Sequence, residues 1–240
     1  MNKNAQNGNA IVIVFVAIAL FAALTLAFNN SSRNSSNFVV DSAIDSYAGQ
    51  IIQLLSQNRS AARKLELRNC DPTDISYEGA EGDFDYSPFA TSVPEKCGLF
   101  NSTGGGLNYQ TPPNMALDST HSNEEEYGHV LYVSDMQVEG VGDYSISAII
   151  PYLTYDVCLK INEKLYEESS IPEDRDNNFA VSIYRAGETI TVGDPFTCET
   201  THFSEDGSEC ADRIGCFRAR SFSDVQDVYV AIQLMTQDKP

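Results

Sequence analysis

Tryptophan is absent, and only three histidines occur in 240 residues. Aromatic surface is left to twelve Tyr and twelve Phe. His121, His129 and His202 stand far apart and form no HExxH pair, which excludes that metalloprotease pattern. There is no GxSxG nucleophile elbow and no GxxxxGK[ST] phosphate loop. Gly104-Gly105-Gly106 has no following helix with a lysine and reads as a flexible turn. No set of partnered groups suited to catalysis emerges, so the expectation is a non-enzyme without a cofactor. Metal patterns are equally scarce. No CxxC pair or zinc-spaced Cys/His cluster occurs. Asp174, Asp176 and Asn178 begin like a calcium loop, but Phe179 stands where the loop needs Gly and Arg185 where it needs Glu. An EF-hand is excluded, and these three residues remain a weak candidate for an irregular calcium site.

Positive charge is also in short supply. Fifteen Lys and Arg face 34 Asp and Glu, for a net charge of -19. Residues 1–68 hold six basic and three acidic side chains, so residues 69–240 carry -22. So acidic a region repels nucleic acid and anionic lipid headgroups, and it keeps an exported domain soluble. Glu124-Glu125-Glu126 and Glu205-Asp206 read as solvated loop charge.

What the chain does have is one long apolar run. Ala10 to Phe28 contains a single polar side chain, Thr25. Nineteen residues make a helix of roughly 28 Å, enough to cross the hydrocarbon core of a bilayer. A short polar leader, Met1 to Gly8, precedes it with Lys3 as its one charged side chain. Two readings follow from the residues. A cleaved secretory signal has a shorter apolar core, although Thr25-Leu26-Ala27 is a passable cleavage site. A permanent anchor is the other. Either one sends the rest of the chain across a membrane. All six cysteines lie between Cys70 and Cys216, and an even number in that setting reads as disulfides formed in an oxidising compartment.

The remaining chain divides by composition. Asn29–Asn37 (NNSSRNSSN) is a polar neck in which Ser and Asn compete for backbone hydrogen bonds and weaken a helix. Residues 38–69 regain a helical period through Val40, Ile44, Tyr47, Ile51, Leu55, Ala62 and Leu65. Ala48 and Ile52 widen this stripe, and Asn58 interrupts it. Cys70, Asp71 and Pro72 should stop the helix. Residues 71–128, rich in Gly, Pro, Ser and Asp, read as a long surface segment with at most short strands. Val130–Val138 and Tyr144–Ile150 read as a β-hairpin about Gly140–Asp143. Thr154 should cap a short helix, Tyr155 to Leu165, with Val157, Cys158, Ile161 and Leu165 inward. Pro172–Asn178 reads as a loop and Phe179–Tyr184 as a strand. Gly215–Arg220 and Val228–Met235 read as the last two strands, the second apolar enough to be central. The sum is an α+β domain over 70–240, with an antiparallel sheet packed on the long helix.

This layout resembles a type IV pilin-like protein or pseudopilin. Such proteins have a short leader ending in Gly, an uncleaved membrane helix over 9–28 here, and a sheet packed on that helix's soluble half. Gly8-Asn9-Ala10, Cys70–Tyr77 (CDPTDISY), Cys97–Gln110 (CGLFNSTGGGLNYQ), Val157–Asn162 and Gly215-Cys216-Phe217 resemble, more narrowly, an uncharacterised pilin-like family of alphaproteobacteria. The resemblance implies leader cleavage between Gly8 and Asn9. It implies a single-pass inner-membrane protein with a periplasmic domain, reaching the cell surface or an extracellular filament after assembly. Its partners would be other pilin-like subunits, met through the N-terminal helix. The alternative is a membrane-tethered periplasmic module that binds a protein or basic ligand. Six cysteines allow fifteen pairings. Nearness in sequence and the resemblance favour Cys70–Cys97, Cys158–Cys216 and Cys198–Cys210. Classical pilins carry Glu at the fifth mature position, where this chain has Ile13, and an N-methylatable Phe where it has Asn9. Helix packing is expected along Ile13, Ala17, Ala19, Ala22 and Ala23, of which the four alanines are small enough to let helices approach closely. The missing acid points to a minor or tip subunit.

Overall fold

The computed structural model describes residues 7–80, 86, 94–133, 137–138, 145–167, 170–171, 195–196, 214–222 and 225–237. The chain divides into two compact units, Met1–Ala43 and Ile44–Pro240. One helix, α1 (Asn7–Glu66), supplies both. Its described side chains are those of 14–21 and of 40 onward.

Within the first unit the polar neck is not a break. The backbone is helical throughout 29–37. Ser and Asn cost a helix only about 0.5 kcal/mol each relative to Ala. Neither Gly nor Pro occurs from Asn9 to Ala48, and extending an existing helix avoids the nucleation cost.

In the second unit α1 buries Ala48, Ile51, Leu54, Leu55, Asn58, Ala61, Ala62 and Leu65, with Ile44, Tyr47 and Ile52 half-buried beside them. Steps of three and four residues keep this set on one face. Burying one such Leu or Ile stabilises by about 1.5–3 kcal/mol. Val40, expected to open the stripe, is 58% exposed, and Leu54 and Ala61 join it instead. The helix ends at Glu66, four residues before Cys70, the first of the expected signals. Asn69 adopts a left-handed φ of 59°. The Asn69 N–H donates to the Glu66 carbonyl at 3.0 Å and the Cys70 N–H to the Leu65 carbonyl at 3.1 Å. This is a Schellman termination with Asn in the usual Gly position.

The segment after α1 is not a surface loop. Four 3-10 turns, Pro72–Asp74, Glu95–Cys97, Asn114–Ala116 and Ser119–His121, mark its described course. Ile75, Tyr77, Tyr86, Leu99, Ala116 and Leu117 are buried in the core shared with α1. Composition read the Gly and Pro correctly as turns but missed the single apolar residues between them, which have no period to betray them. The Cys70–Cys97 disulfide closes this region against the end of α1. Beside it the Ser76 N–H donates to the Cys97 carbonyl at 3.1 Å and the Leu99 N–H to the Ser76 carbonyl at 2.8 Å.

The main sheet is antiparallel, in the order β1-β3-β6-β5, from β1 (Leu131–Val133), β3 (Ser145–Leu153), β5 (Ile214–Phe222) and β6 (Val225–Gln237). Two short strands, β2 (Gln137–Val138) and β4 (Pro195–Phe196), pair in parallel. The first expected hairpin is thus divided: β1 pairs with β3, while Gln137–Val138 leaves for β4. β6 is central, as its unbroken apolar run suggests. Alternation sends Tyr132, Ile146, Ala148, Ile150, Ala231 and Met235 into one core with the α1 stripe. Leu131, Val133, Ile149, Phe217, Val230 and Ile232 form a second core on the opposite face.

α2 (Tyr155–Tyr166) follows β3. Thr154 holds the extended N-cap conformation, but its side chain makes no capping bond. The expected inner face is confirmed at Val157, Cys158 and Ile161, with Leu165 half-buried. The Cys158–Cys216 disulfide ties α2 to β5. Among the described residues the structure is therefore α+β, with a four-stranded antiparallel sheet and two disulfides.

Candidate functional site

Eight consecutive side chains of α1, Val14, Phe15, Val16, Ala17, Ile18, Ala19, Leu20 and Phe21, are apolar and exposed. Val16 is 53% exposed and Phe21 71%. Eight residues complete two helical turns, so the helix is apolar on every side rather than along a stripe. Helices of that kind belong inside bundles or membranes, because soluble monomers rarely expose contiguous apolar surface of this sort. Among the described residues, no helix is long and apolar enough to cross a membrane. Gly8 and Asn9 fall in the first turn of α1. The side chains of Ile13, Ala22 and Ala23 lie outside the described residues, as do residues 1–6.

Among the described residues, no group of three or more His, Cys, Asp or Glu could hold a metal. Asp174, Asp176 and Asn178 lie outside the described residues, and so do Phe179–Tyr184, His202, Cys198 and Cys210. His121 stacks on Tyr152 with ring centroids 5.0 Å apart. Tyr152 is the unusual member of this pair. It is buried in β3 with φ 59°, a left-handed value that bulky residues adopt only where their surroundings enforce it. Its hydroxyl donates to Glu126 Oε2 at 3.3 Å, and its carbonyl accepts the Asp118 N–H at 2.8 Å. Burial, reinforced by the Glu126 and Glu124 charges, raises the phenol pKa. Tyr152 remains a neutral donor and turns the chain out of β3 toward α2.

Two buried carboxamides were not legible as sites. Asn58 donates through Nδ2 to the Leu54 carbonyl at 2.8 Å and accepts the Tyr132 hydroxyl at 2.7 Å. Tyr132 stacks on Tyr77 with centroids 4.3 Å apart, and burial drives its pKa well up. Asn162 bonds both backbone groups of Cys216, Nδ2 to the carbonyl at 2.8 Å and Oδ1 from the N–H at 2.9 Å. It completes the hydrogen bonding of edge strand β5 beside the disulfide. A polar residue inside an apolar period is the signal that could have found both.

Two surface concavities lie on the second unit. An uncharged groove of about 450 Å³ runs between α1 and the Gln110–Asn114 segment, lined by Gln50, Gln53, Gln57, Gln110 and Asn114. A larger cleft of about 670 Å³ opens beside the Cys70–Cys97 disulfide. Phe100 and Tyr109 line it in edge-to-face contact at 5.7 Å, and Glu78 and Glu95 stand at its wall. Comparison with known protein families, curated proteins and solved structures gives no match.

Proposed function

We propose that the chain is a pilin-like structural subunit of a type IV pilus-like or type II secretion-like assembly, acting mechanically and not as an enzyme. One observation carries the reading: the wholly apolar, exposed stretch Val14–Phe21. Such a helix gains by leaving water, and apolar sequence continues on both sides of it from Ala10 to Phe28. The N-terminal helix sits in the inner membrane and later bundles with the helices of other subunits. The acidic second unit, braced by Cys70–Cys97 and Cys158–Cys216, lies in the periplasm or outside the cell, where disulfides persist. Helix bundling explains why the exposed residues are apolar without needing any catalytic group.

The test uses Ile18→Cys or Leu20→Cys in the full chain, in membranes of the source cell. Oxidation should trap disulfide-linked copies or mixed pairs with other apolar N-terminal helices, and alkaline carbonate should leave the chain in the membrane pellet. Release by carbonate together with an absence of cross-links would overturn the reading.

A further inference from the structure

We propose that the cleft beside the Cys70–Cys97 disulfide binds a cationic side chain, a lysine or arginine presented on an extended polypeptide. The cleft is formed by backbone that the disulfide holds. Ser76–Gly79 makes one wall, the Glu95–Cys97 turn another, and the chain from Gly98 to Tyr109 the third. About 670 Å³ accommodates a long side chain with some flanking backbone.

Its chemistry is one-sided. Phe100 and Tyr109 offer half-buried rings, and Phe100 also packs edge-on against buried Tyr132 at 6.0 Å. The core therefore holds the ring in place, and a cation gains from the negative ring face without paying to order it. Glu78 and Glu95 are exposed and, when ionised, accept hydrogen bonds only. Asn101 Oδ1 is already taken by the Thr103 N–H at 3.0 Å and its hydroxyl at 2.9 Å. Ser76 Oγ accepts the Glu78 N–H at 3.2 Å. Glu78 and Glu95 are the charged side chains among the described lining residues, while exposed Lys96, in the same turn as Glu95, does not line the cleft. The formal charges on the described lining are the two carboxylates of Glu78 and Glu95, so the fitting ligand is positive. An anion is repelled by the same two carboxylates.

Two further features agree. Gly79 has φ 97°, and a Cβ there would come within 3.3 Å of Phe100 Cβ. A side chain at that position would be strained and would press on the ring that forms the floor. The charge of -22 over residues 69–240 also draws cations toward this unit from a distance. The binding role stands whether or not α1 assembles with other helices.

The experiment uses the full-length protein in detergent micelles and fluorescein-labelled pentalysine, read by anisotropy at about 0.15 M salt. Glu78→Gln/Glu95→Gln should weaken binding about tenfold. Glu125→Gln/Glu167→Gln removes the same charge from exposed sites elsewhere and should stay within about twofold. Phe100→Leu should weaken binding about two- to fivefold, with circular dichroism and the Cys70–Cys97 bond unchanged. Equal loss in both glutamate pairs would show a diffuse field and overturn the site. So would no pentalysine binding, or binding of chitotetraose in its place. If Phe100→Leu misfolds, the two glutamate pairs decide alone, since all four residues are exposed.

Discussion

At the residue scale, the buried Asn58–Tyr132 contact is the sharpest object for test. Asn58→Leu would leave the Tyr132 hydroxyl buried without its acceptor, and Tyr132→Phe would leave Asn58 Oδ1 without its donor. An orphaned buried group costs about 1–3 kcal/mol, whereas removing both partners is far cheaper. Each single variant should therefore lower the urea midpoint, and the double variant should lower it by less than the sum of the two. Strict additivity would mean that the two groups do not depend on each other. A second residue-scale prediction concerns Asp45. The Lys164 ammonium, 2.8 Å away, hydrogen-bonds Asp45 and holds its carboxyl below the usual carboxylate range. A depressed folded pKa contributes stability that is present above the unfolded value, near 3.9, and is lost as pH falls through the folded one. NMR titration should show Asp45 below that value in the native chain and returned toward it in Lys164→Ala.

At the element scale, the two disulfides act on different joints. Cys70–Cys97, separated by 27 residues, closes the irregular segment onto the end of α1, and Cys158–Cys216, separated by 58, ties α2 to β5. The chain-entropy account gives roughly 3 to 4 kcal/mol for loops of such lengths. Cys158→Ser/Cys216→Ser should lose about that much in denaturant unfolding. It should also weaken amide protection at Cys216, because Asn162 would lose its fixed position on α2. Cys70–Cys97 was legible from nearness in sequence, whereas Cys158–Cys216 skips two nearer cysteines and was expected only from the resemblance. α2, the central β6 and the face of α1 were legible because their periods run over many residues. The buried part of 71–128 was not, since Ile75, Tyr77 and Leu99 are single anchors among turn residues. The helical neck was misread for the opposite reason: weak helix formers on their own stay helical when strong ones flank them. The cleft was illegible because its walls, Ser76–Gly79 and Phe100–Tyr109, meet through a fold that no local pattern encodes.

At the scale of the whole molecule, the proposed assembly role depends on what the N-terminal helix meets. If Gly8 ends a leader, the mature chain begins at Asn9 and keeps the apolar run, and N-terminal sequencing of native material should find that start. A start at Phe28 or an untouched Met1 would remove the prepilin reading. Ile13 then occupies the fifth mature position, where the resemblance leads one to expect Glu. A carboxylate at that depth in hydrocarbon needs a partner, and in pilins the partner is thought to be a neighbour's terminal amine. With Ile13 the helix can still pack through apolar contact, but it forms no charge pair with a subunit above it. A chain that nothing needs to follow suits a tip or initiating position better than the repeating shaft. An exposed cation-binding cleft on the second unit would suit the same place, where a subunit meets other molecules and not only its own kind. Filaments sheared from the source cell should therefore contain this chain at a few copies each, by quantitative mass spectrometry against the most abundant subunit. Restoring the acid by Ile13→Glu should raise its share. If the unaltered chain makes up most of the filament mass, the tip assignment fails. If it neither co-purifies nor cross-links with any apolar N-terminal helix, the membrane-tethered binding module becomes the better account of the same structure.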